Sequence, residues 1–195
     1  MSVPSQDDVE DFLLSCRYGE LDEVKSFIEQ FGRAAVAIAR DERGNTAIHM
    51  CCGNGHVDVL TYILPHIPPT LLSQTNAASS PPIHWAVSNN HVLVIRLLAE
   101  FPAEKGGGLP LFKQKNAAGR DAFAEALFAG EGKEEIAGWI EGFLWRVEGG
   151  DDEEGAKSSD NHESVHEEDE GKSKQASGIT DDLAARTDGV RIDDS

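Results

Sequence analysis

The stretch that decides the fold is DERGNTAIH at residues 41–49, followed after four residues by NGHVDVL at 54–60. Both halves recur 35 residues downstream, as SPPIH at 80–84 and NNHVLVI at 89–95. Two separate half-motifs that return at one offset are hard to produce by chance. The chain therefore contains an internal repeat.

A period near 33 residues with a Thr-Pro-Leu-His motif is typical of the ankyrin repeat. The second half of the motif also occurs at 19–28, after a predicted helix that places Phe12, Leu13 and Cys16 on one face. A fourth, aberrant copy begins at Asn116, and its second helix is predicted to run on through Trp145. The sequence thus predicts an all-α solenoid of about four helix-turn-helix repeats, which offers an elongated binding surface.

Composition divides the chain into a predicted ankyrin-repeat domain, 1–147, and a predicted disordered acidic tail, 148–195. The tail holds 16 Asp and Glu residues against 5 Lys and Arg residues. It has too few large apolar side chains to offset the entropy of ordering by burial. The net charge of −18 for the whole chain repels nucleic acid and anionic membranes and attracts basic partners.

The sequence indicates a soluble, intracellular protein. The N-terminus lacks the basic and apolar regions of a signal peptide, and apolar runs stay well below the ~18–20 residues that span a bilayer. The cysteines, Cys16, Cys51 and Cys52, are expected to be buried core thiols and not disulfides or ligands.

The motifs of common enzymes are missing from the sequence, so we expect neither catalysis nor a cofactor. His49 and His84 stand at the position where this kind of repeat uses histidine to fix a turn, and they are interpreted as structural. A zinc site at His49 is disfavoured because Cys51 and Cys52 are neighbours on one helix and point about 100° apart. The glycines at 106–108 are expected not to precede a helix, so they cannot cradle a phosphate.

The positions left for binding are the turn tips and the exposed face of each first helix. Trp85 is the strongest of them, because a tryptophan at a variable concave position is a common interface anchor. Packing against a neighbouring helix is the alternative role for this side chain. Trp139 and Trp145 are expected to close the terminal repeat. The full predicted partner-binding set is Asp41, Glu42, Arg43, Asn45, Met50, Asn54, Trp85, Ser88, Asn89, Arg120, Asp121, Glu125 and Phe128.

The chain resembles the small fungal ankyrin-repeat chaperones dedicated to one ribosomal protein, the KH-domain protein numbered three of the small subunit. The resemblance rests on LSCRYGELD (14–22), TAIHM (46–50), NGH (54–56), IHWA (83–86), GRDAFAEA (119–126), GKEEI (132–136) and EGGDDEE (148–154). It implies a chaperone that is monomeric when free, moves between cytoplasm and nucleus, and delivers its client for assembly of the 40S subunit.

The charge of the chain fits a basic client, because an acidic cradle can stand in for RNA until the client is delivered. A generic ankyrin adaptor in signalling or transcription is the alternative. A small hydrolase or metal enzyme would need a catalytic constellation that the sequence does not offer.

Overall fold

A computed structural model describes residues 2–149, and every element of regular secondary structure within that range is a helix. The predicted tail, apart from its first two residues, falls outside the described residues. Three short 3₁₀ turns connect some of the helices, at Leu64–His66, Pro69–Leu71 and Ala103–Lys105. The α-helices are α1 (Gln6–Tyr18), α2 (Leu21–Phe31), α3 (Arg33–Ile38), α4 (Ala47–Asn54), α5 (Val57–Ile63), α6 (Pro82–Ser88), α7 (Val92–Glu100), α8 (Leu109–Phe112), α9 (Ala122–Phe128) and α10 (Glu134–Val147).

The helices form four successive pairs, as the repeat pattern predicts. The pairs are α1 with α2, α4 with α5, α6 with α7 and α9 with α10, and the first helix of each pair packs on the first helix of the next. The small and apolar side chains of the first helices are buried where these helices pack against one another and against the second helices. A single hydrophobic core therefore runs through the stack. The prediction of four helix-turn-helix repeats is confirmed.

The helix starts follow from local chemistry. The Thr46 hydroxyl accepts hydrogen bonds from the backbone N–H groups of Ile48 and His49, while His49 Nδ1 lies 3.2 Å from the Thr46 backbone nitrogen, which completes a reciprocal cap. Asp121 caps α9 through the N–H of Ala124. Pro81 replaces the capping residue in the third repeat, and because proline offers neither hydroxyl nor N–H, the buried Nδ1 of His84 has no hydrogen-bond partner among the described residues.

One turn precedes the first helix of repeats two, three and four, and it is built in the same way each time. The side-chain oxygen of Asp41, Asn76 or Asn116 accepts hydrogen bonds from the backbone N–H groups two and four residues further on. The residue three positions on has a positive φ in every case; it is glycine twice and Ser79 once. We call these turns, residues 41–45, 76–80 and 116–120, the fingers. The sequence pattern places a repeat motif at 41–49 and the start of the fourth repeat at Asn116, but it does not reveal the turn that the three repeats share.

Four histidines tie neighbouring repeats together. His49 Nε2 lies 3.0 Å from the carbonyl oxygen of Ser80, and His84 Nε2 lies 3.1 Å from that of Gln114, so both rings reach forward to the next repeat. The structural role predicted for His49 and His84 is confirmed. Burial lowers the pKa of His49 to about 4 and lowers that of His84 below its usual value.

The other two histidines, His56 and His91, begin the second helices and reach backward. Their Nε2 atoms lie 2.8 Å and 3.0 Å from the carbonyl oxygens of Arg17 and Gly53. The repeated Gly/Asn-His pair in the sequence is the signal of this contact, and its inter-repeat role was missed.

The three cysteines are free and buried, as expected. Burial raises the pKa of the Cys16 and Cys52 thiols, so both stay protonated and behave as small apolar groups.

Two expectations about the C-terminal half are wrong. The glycines at 106–108 do precede a helix, because Gly108 is the residue before α8, although that helix has only four residues. Trp145 does not close the last repeat, since 56% of its surface is exposed. Trp139 does take part, stacking on Phe143 at 5.7 Å between ring centroids. None of the helices described here is long and apolar enough to span a membrane.

Candidate functional site

The first helices and the fingers together line a concave surface, and one repeat position runs across it as a row. Leu14, Met50, Trp85 and Glu125 occupy this position in repeats one to four when the repeats are aligned on their helices. The row is apolar in the first three repeats and acidic in the last. The middle of the concave surface is therefore suited to an apolar group of a partner.

The Trp85 side chain is half-buried: part of it packs on the neighbouring repeat and part of it is exposed. Its indole ring and the His49 ring pack in a T-shaped arrangement, with 5.5 Å between centroids and 78° between planes. A Cβ atom on Gly53 would lie only 2.7 Å from Trp85 Cε3, so the indole can approach α4 this closely because residue 53 is a glycine. The packing role considered for Trp85 is thus present, and because the indole also lines the groove, its role as an interface anchor stays a prediction.

Two cavities border Trp85. One, of about 570 Å³, lies between the indole and the fingers and is lined by Glu42, Arg43, Asn45, Asn76, Ala77, Ala78 and Ser80. The other, of about 470 Å³, extends to the first repeat and is lined by Arg17, Asp41, Arg43, Asn45, Met50, Gly53, Asn54 and Asn89. Two smaller cavities continue along α1 past Leu14 and Glu10. We call this continuous depression, from Glu10 to Trp85, the groove.

The predicted residues of repeat two line the groove, but two of them are buried. Glu42, Arg43 and Asn54 are exposed, as expected. Asn45 is only 3% exposed and Met50 only 9%. The Asn45 side chain donates to Asp41 Oδ2 at 2.8 Å and accepts from Asn76 at 2.8 Å, so it joins two fingers. The expectation that both residues are available at the surface is wrong, because each is used for packing between repeats.

Asp41 is partly exposed, and both of its carboxylate oxygens are occupied. Oδ1 accepts from the backbone N–H groups of Arg43 and Asn45, at 2.9 and 2.7 Å, and Oδ2 accepts from the Asn45 side chain. The hydrogen bonds of Asp41 therefore stabilise the first finger, and its carboxylate can accept few further hydrogen bonds from a partner. In repeat three, Ser88 and Asn89 are exposed beside Trp85, in line with the prediction.

The predicted residues of repeat four form a cluster of their own. Arg120 Nε donates to Glu125 Oε2 at 2.8 Å, and the guanidinium carbon of Arg120 lies 3.8 Å from the centre of the Phe128 ring. Phe128 is 68% exposed, and Asp121 is the helix cap already described. Glu125 also accepts from Asn116, so its charge is used within the repeat. What remains for a partner here is the face of Phe128.

The sequence analysis missed the first repeat altogether as part of the site. Leu14 is 44% exposed and Arg17 is exposed, and both line the groove. The alignment of 19–28 with 55–64 carried the signal, since its offset of 36 places Leu14 at the position of Met50. Ala77 and Ala78 of the second finger were also missed, because alanine carries no chemical signal.

The acidic charge does not line the middle of the groove. Helices α4 and α6 contain no Asp, Glu, Lys or Arg. Most acidic residues of the described helices lie in the first half of α1, in α2 and in α10; the others are Asp58, Glu100 and Glu125. The negative charge expected of the cradle is therefore absent from its central helices, and the exposed charges of the turns and of α1 around them have both signs, with Arg17 and Arg43 beside Glu10 and Glu42.

The described residues hold no group of three or more His, Cys, Asp and Glu side chains that could bind a metal ion. The two central histidines are committed to the backbone of the next repeat. The groove is open and shallow, and its polar groups mostly build turns. This arrangement can hold an extended or helical segment of another chain.

Comparisons with known proteins agree with this geometry. The family model described as ankyrin repeats (many copies) matches residues 13–64. The chain contains ankyrin repeats. A curated relative, the ankyrin repeat-containing protein P16F5.05c of Schizosaccharomyces pombe, is 33% identical over 60 residues, which is 31% of this chain and 40% of the relative. The matched region thus spans about two fifths of that relative's length.

Among solved structures, the chain is similar to one from the crystal structure of the yeast ribosomal protein Rps3 in complex with its chaperone Yar1. The TM-score is 0.61 at 26% sequence identity, and the match covers 70% of this chain and 92% of that one. The similar chain is the chaperone Yar1, a fungal ankyrin-repeat protein. The resemblance seen in the sequence is therefore supported by the fold.

Proposed function

We propose that this protein is a chaperone that binds a newly made, basic small-subunit ribosomal protein, keeps it soluble and delivers it for 40S assembly. The observation that carries the proposal is the match to Yar1 over 92% of that chain. The proposed client is the counterpart of Rps3, and the proposed places of action are the cytoplasm and the nucleus.

The groove supports a binding role for the chain. It runs across at least three repeats and combines a half-buried tryptophan with exposed polar residues at its edges. A large aromatic side chain surrounded by polar groups is the usual composition of an interface hot spot. Nothing in this geometry favours a small substrate, because the depression is open along its length.

The net charge of −18 supports a basic client. A ribosomal protein that has not met its RNA exposes Lys and Arg side chains, and a negatively charged partner approaches it faster than a neutral one. The effect of such charges is strongest on the association rate and falls with added salt, because screening sets in near ~8 Å at physiological ionic strength.

The test is co-expression and co-purification with the counterpart of Rps3. We expect a stable complex of the two purified proteins, and we expect the client to remain soluble at concentrations at which it aggregates alone. A matched basic protein of the large subunit serves as the control for charge alone. If the chain binds both proteins equally, it is a general polyanion; if it binds neither, the proposed function is wrong.

A further inference from the structure

We infer that the segment of the client seated in the groove is acidic and apolar, and does not belong to the client's basic surface. In this arrangement a client carboxylate lies between Arg17 and Arg43, and a neighbouring apolar side chain packs on Trp85. The inference rests on the proposed function and specifies which chemistry its binding site recognises.

The first observation is that the two arginines converge on one cavity. Arg17, at the end of α1, and Arg43, in the first finger, line the same cavity of about 470 Å³, and Trp85 lies at its edge. The two arginines come from different repeats. Their meeting in one place is therefore a product of the fold and is not visible as a motif.

The second observation is that neither arginine is paired with a carboxylate of the described residues; the guanidinium carbon of Arg17 lies 6.0 Å from the centre of the Tyr18 ring. Both side chains are exposed, and within residues 2–149 neither guanidinium makes a salt bridge or a hydrogen bond. By contrast, Arg120 is paired with Glu125 at 2.8 Å. The one carboxylate in the same cavity, Asp41, is occupied by three N–H groups of its own finger.

The third observation concerns the floor between the two arginines and the indole. Met50 and Gly53 of α4 lie there, and α4 and α6 carry no acidic side chain. A lysine or arginine of a client would meet two like charges and no free carboxylate at this place. A carboxylate would meet two guanidinium groups, which bind it with paired hydrogen bonds.

Glu10 and Glu42 mark the limit of this region. Glu10 lines the part of the groove along α1, and Glu42 lines both that part and the cavity of about 570 Å³ beside Trp85. Neither lines the cavity that Arg17 and Arg43 share. The cavity shared by the two arginines is therefore bordered by carboxylates that lie in the neighbouring cavities. A bound segment with a basic side chain at one end and a carboxylate at the other would satisfy both regions.

The experiment measures the dissociation constant of the full-length chain and the purified counterpart of Rps3 at physiological ionic strength. The test variant combines Arg17→Glu with Arg43→Glu. The matched control combines Arg33→Glu with Lys105→Glu, two exposed residues that do not line the groove, and gives the same change in net charge. Circular dichroism confirms that each variant is folded.

We expect the two variants to change the dissociation constant differently. The groove variant should bind at least about tenfold more weakly, while the control, being more acidic toward a basic client, should bind equally well or more tightly. If the groove variant binds as well as the wild type or better, the groove takes a basic segment and the inference is wrong, although the proposed function stands. Equal weakening in both variants would also overturn it. If the wild-type chain does not bind the client, both ideas fail.

A second measurement identifies the carboxylate. Overlapping peptides of the client are tested for binding to the full-length chain, and each Asp or Glu of the binding peptide is changed to Lys. One such change should weaken binding to the wild type and restore binding to the Arg17→Glu, Arg43→Glu variant. If no charge exchange restores binding, the two arginines do not contact a client carboxylate.

Discussion

Gly55 is the residue whose replacement tests the packing between repeats most directly. It ends α4 with φ +81°, and a Cβ atom built on it would lie 2.5 Å from Nδ1 of His91. That ring holds the carbonyl oxygen of Gly53 at 3.0 Å. Gly55→Ala must therefore strain the backbone and also push away a side chain that joins repeats two and three.

Gly130 provides a matched control at the same position of the fourth repeat. Its φ is +86°, yet nothing lies within 4 Å of a Cβ built there. Left-handed backbone costs a non-glycine residue ~1–2 kcal/mol, and losing glycine's freedom in the unfolded chain returns ~0.4–1 kcal/mol. Gly130→Ala should thus reduce the free energy of unfolding by about 1 kcal/mol.

Gly55→Ala should lower the free energy of unfolding by the same amount as Gly130→Ala and, in addition, by the energy of the contact that His91 makes. Displacing the ring breaks one hydrogen bond, worth ~1 kcal/mol net, and leaves a carbonyl without its partner, for a total of about 2–3 kcal/mol. The assay is urea unfolding followed by circular dichroism, repeated in a His91→Ala background. There the cost of Gly55→Ala should fall to that of Gly130→Ala. Equal costs for the two glycines in the wild type, or an unchanged cost without His91, would refute the reasoning.

Three further predictions concern the cap, the groove and pH. Pro81→Thr restores the cap found at Thr46 and gives Nδ1 of His84 a partner; the gain should exceed the entropy lost with proline and raise the free energy of unfolding by about 1 kcal/mol, and a lower melting temperature would contradict this. Trp85→Ala should weaken client binding by about 2 kcal/mol; an unchanged dissociation constant would remove the indole from the site. The pKa of His49 is lowered to about 4 in the folded state, so its stabilisation is complete above its ordinary value near 6.5 and is lost as pH falls from there toward 4. Urea unfolding should show wild type losing about 2 kcal/mol more than His49→Gln between neutral pH and pH ~5, and parallel curves would rule this out.

Much of the fold could be predicted because its signals are local. The Thr46 cap, the positive-φ positions at Gly44 and Asn90, and the apolar spacing of α1 depend on residues within a few positions of each other. Such features are fixed by backbone sterics and by the need of free N–H groups for acceptors. For this reason the repeats and the role of His49 are readable without a structure.

The parts that could not be predicted depend on partners a whole repeat away. Asn45 looks like an exposed turn residue, but its amide meets Asn76 of the next finger. His91 resembles a helix-start residue, but its ring meets a carbonyl 38 positions earlier. The local sequence does not show how close the next repeat lies in space. The long connection between α7 and α9, which contains α8, makes the spacing of the repeats less regular still. The same limit hid Arg17 from the predicted site.

The structure separates two jobs that composition alone had merged. Composition suggested that one acidic surface attracts the client and also holds it. Within residues 2–149, however, helices α4 and α6 beside Trp85 carry no charge, and Arg17 and Arg43 share a cavity whose carboxylate, Asp41, is held by its own turn. Long-range charge chiefly sets how fast a complex forms, whereas close contacts set how slowly it separates. A chaperone built in this way can collect a basic client through its overall charge and yet select one segment of it by shape and by opposite local charge. A general polyanion, which has only the first property, could not make that selection.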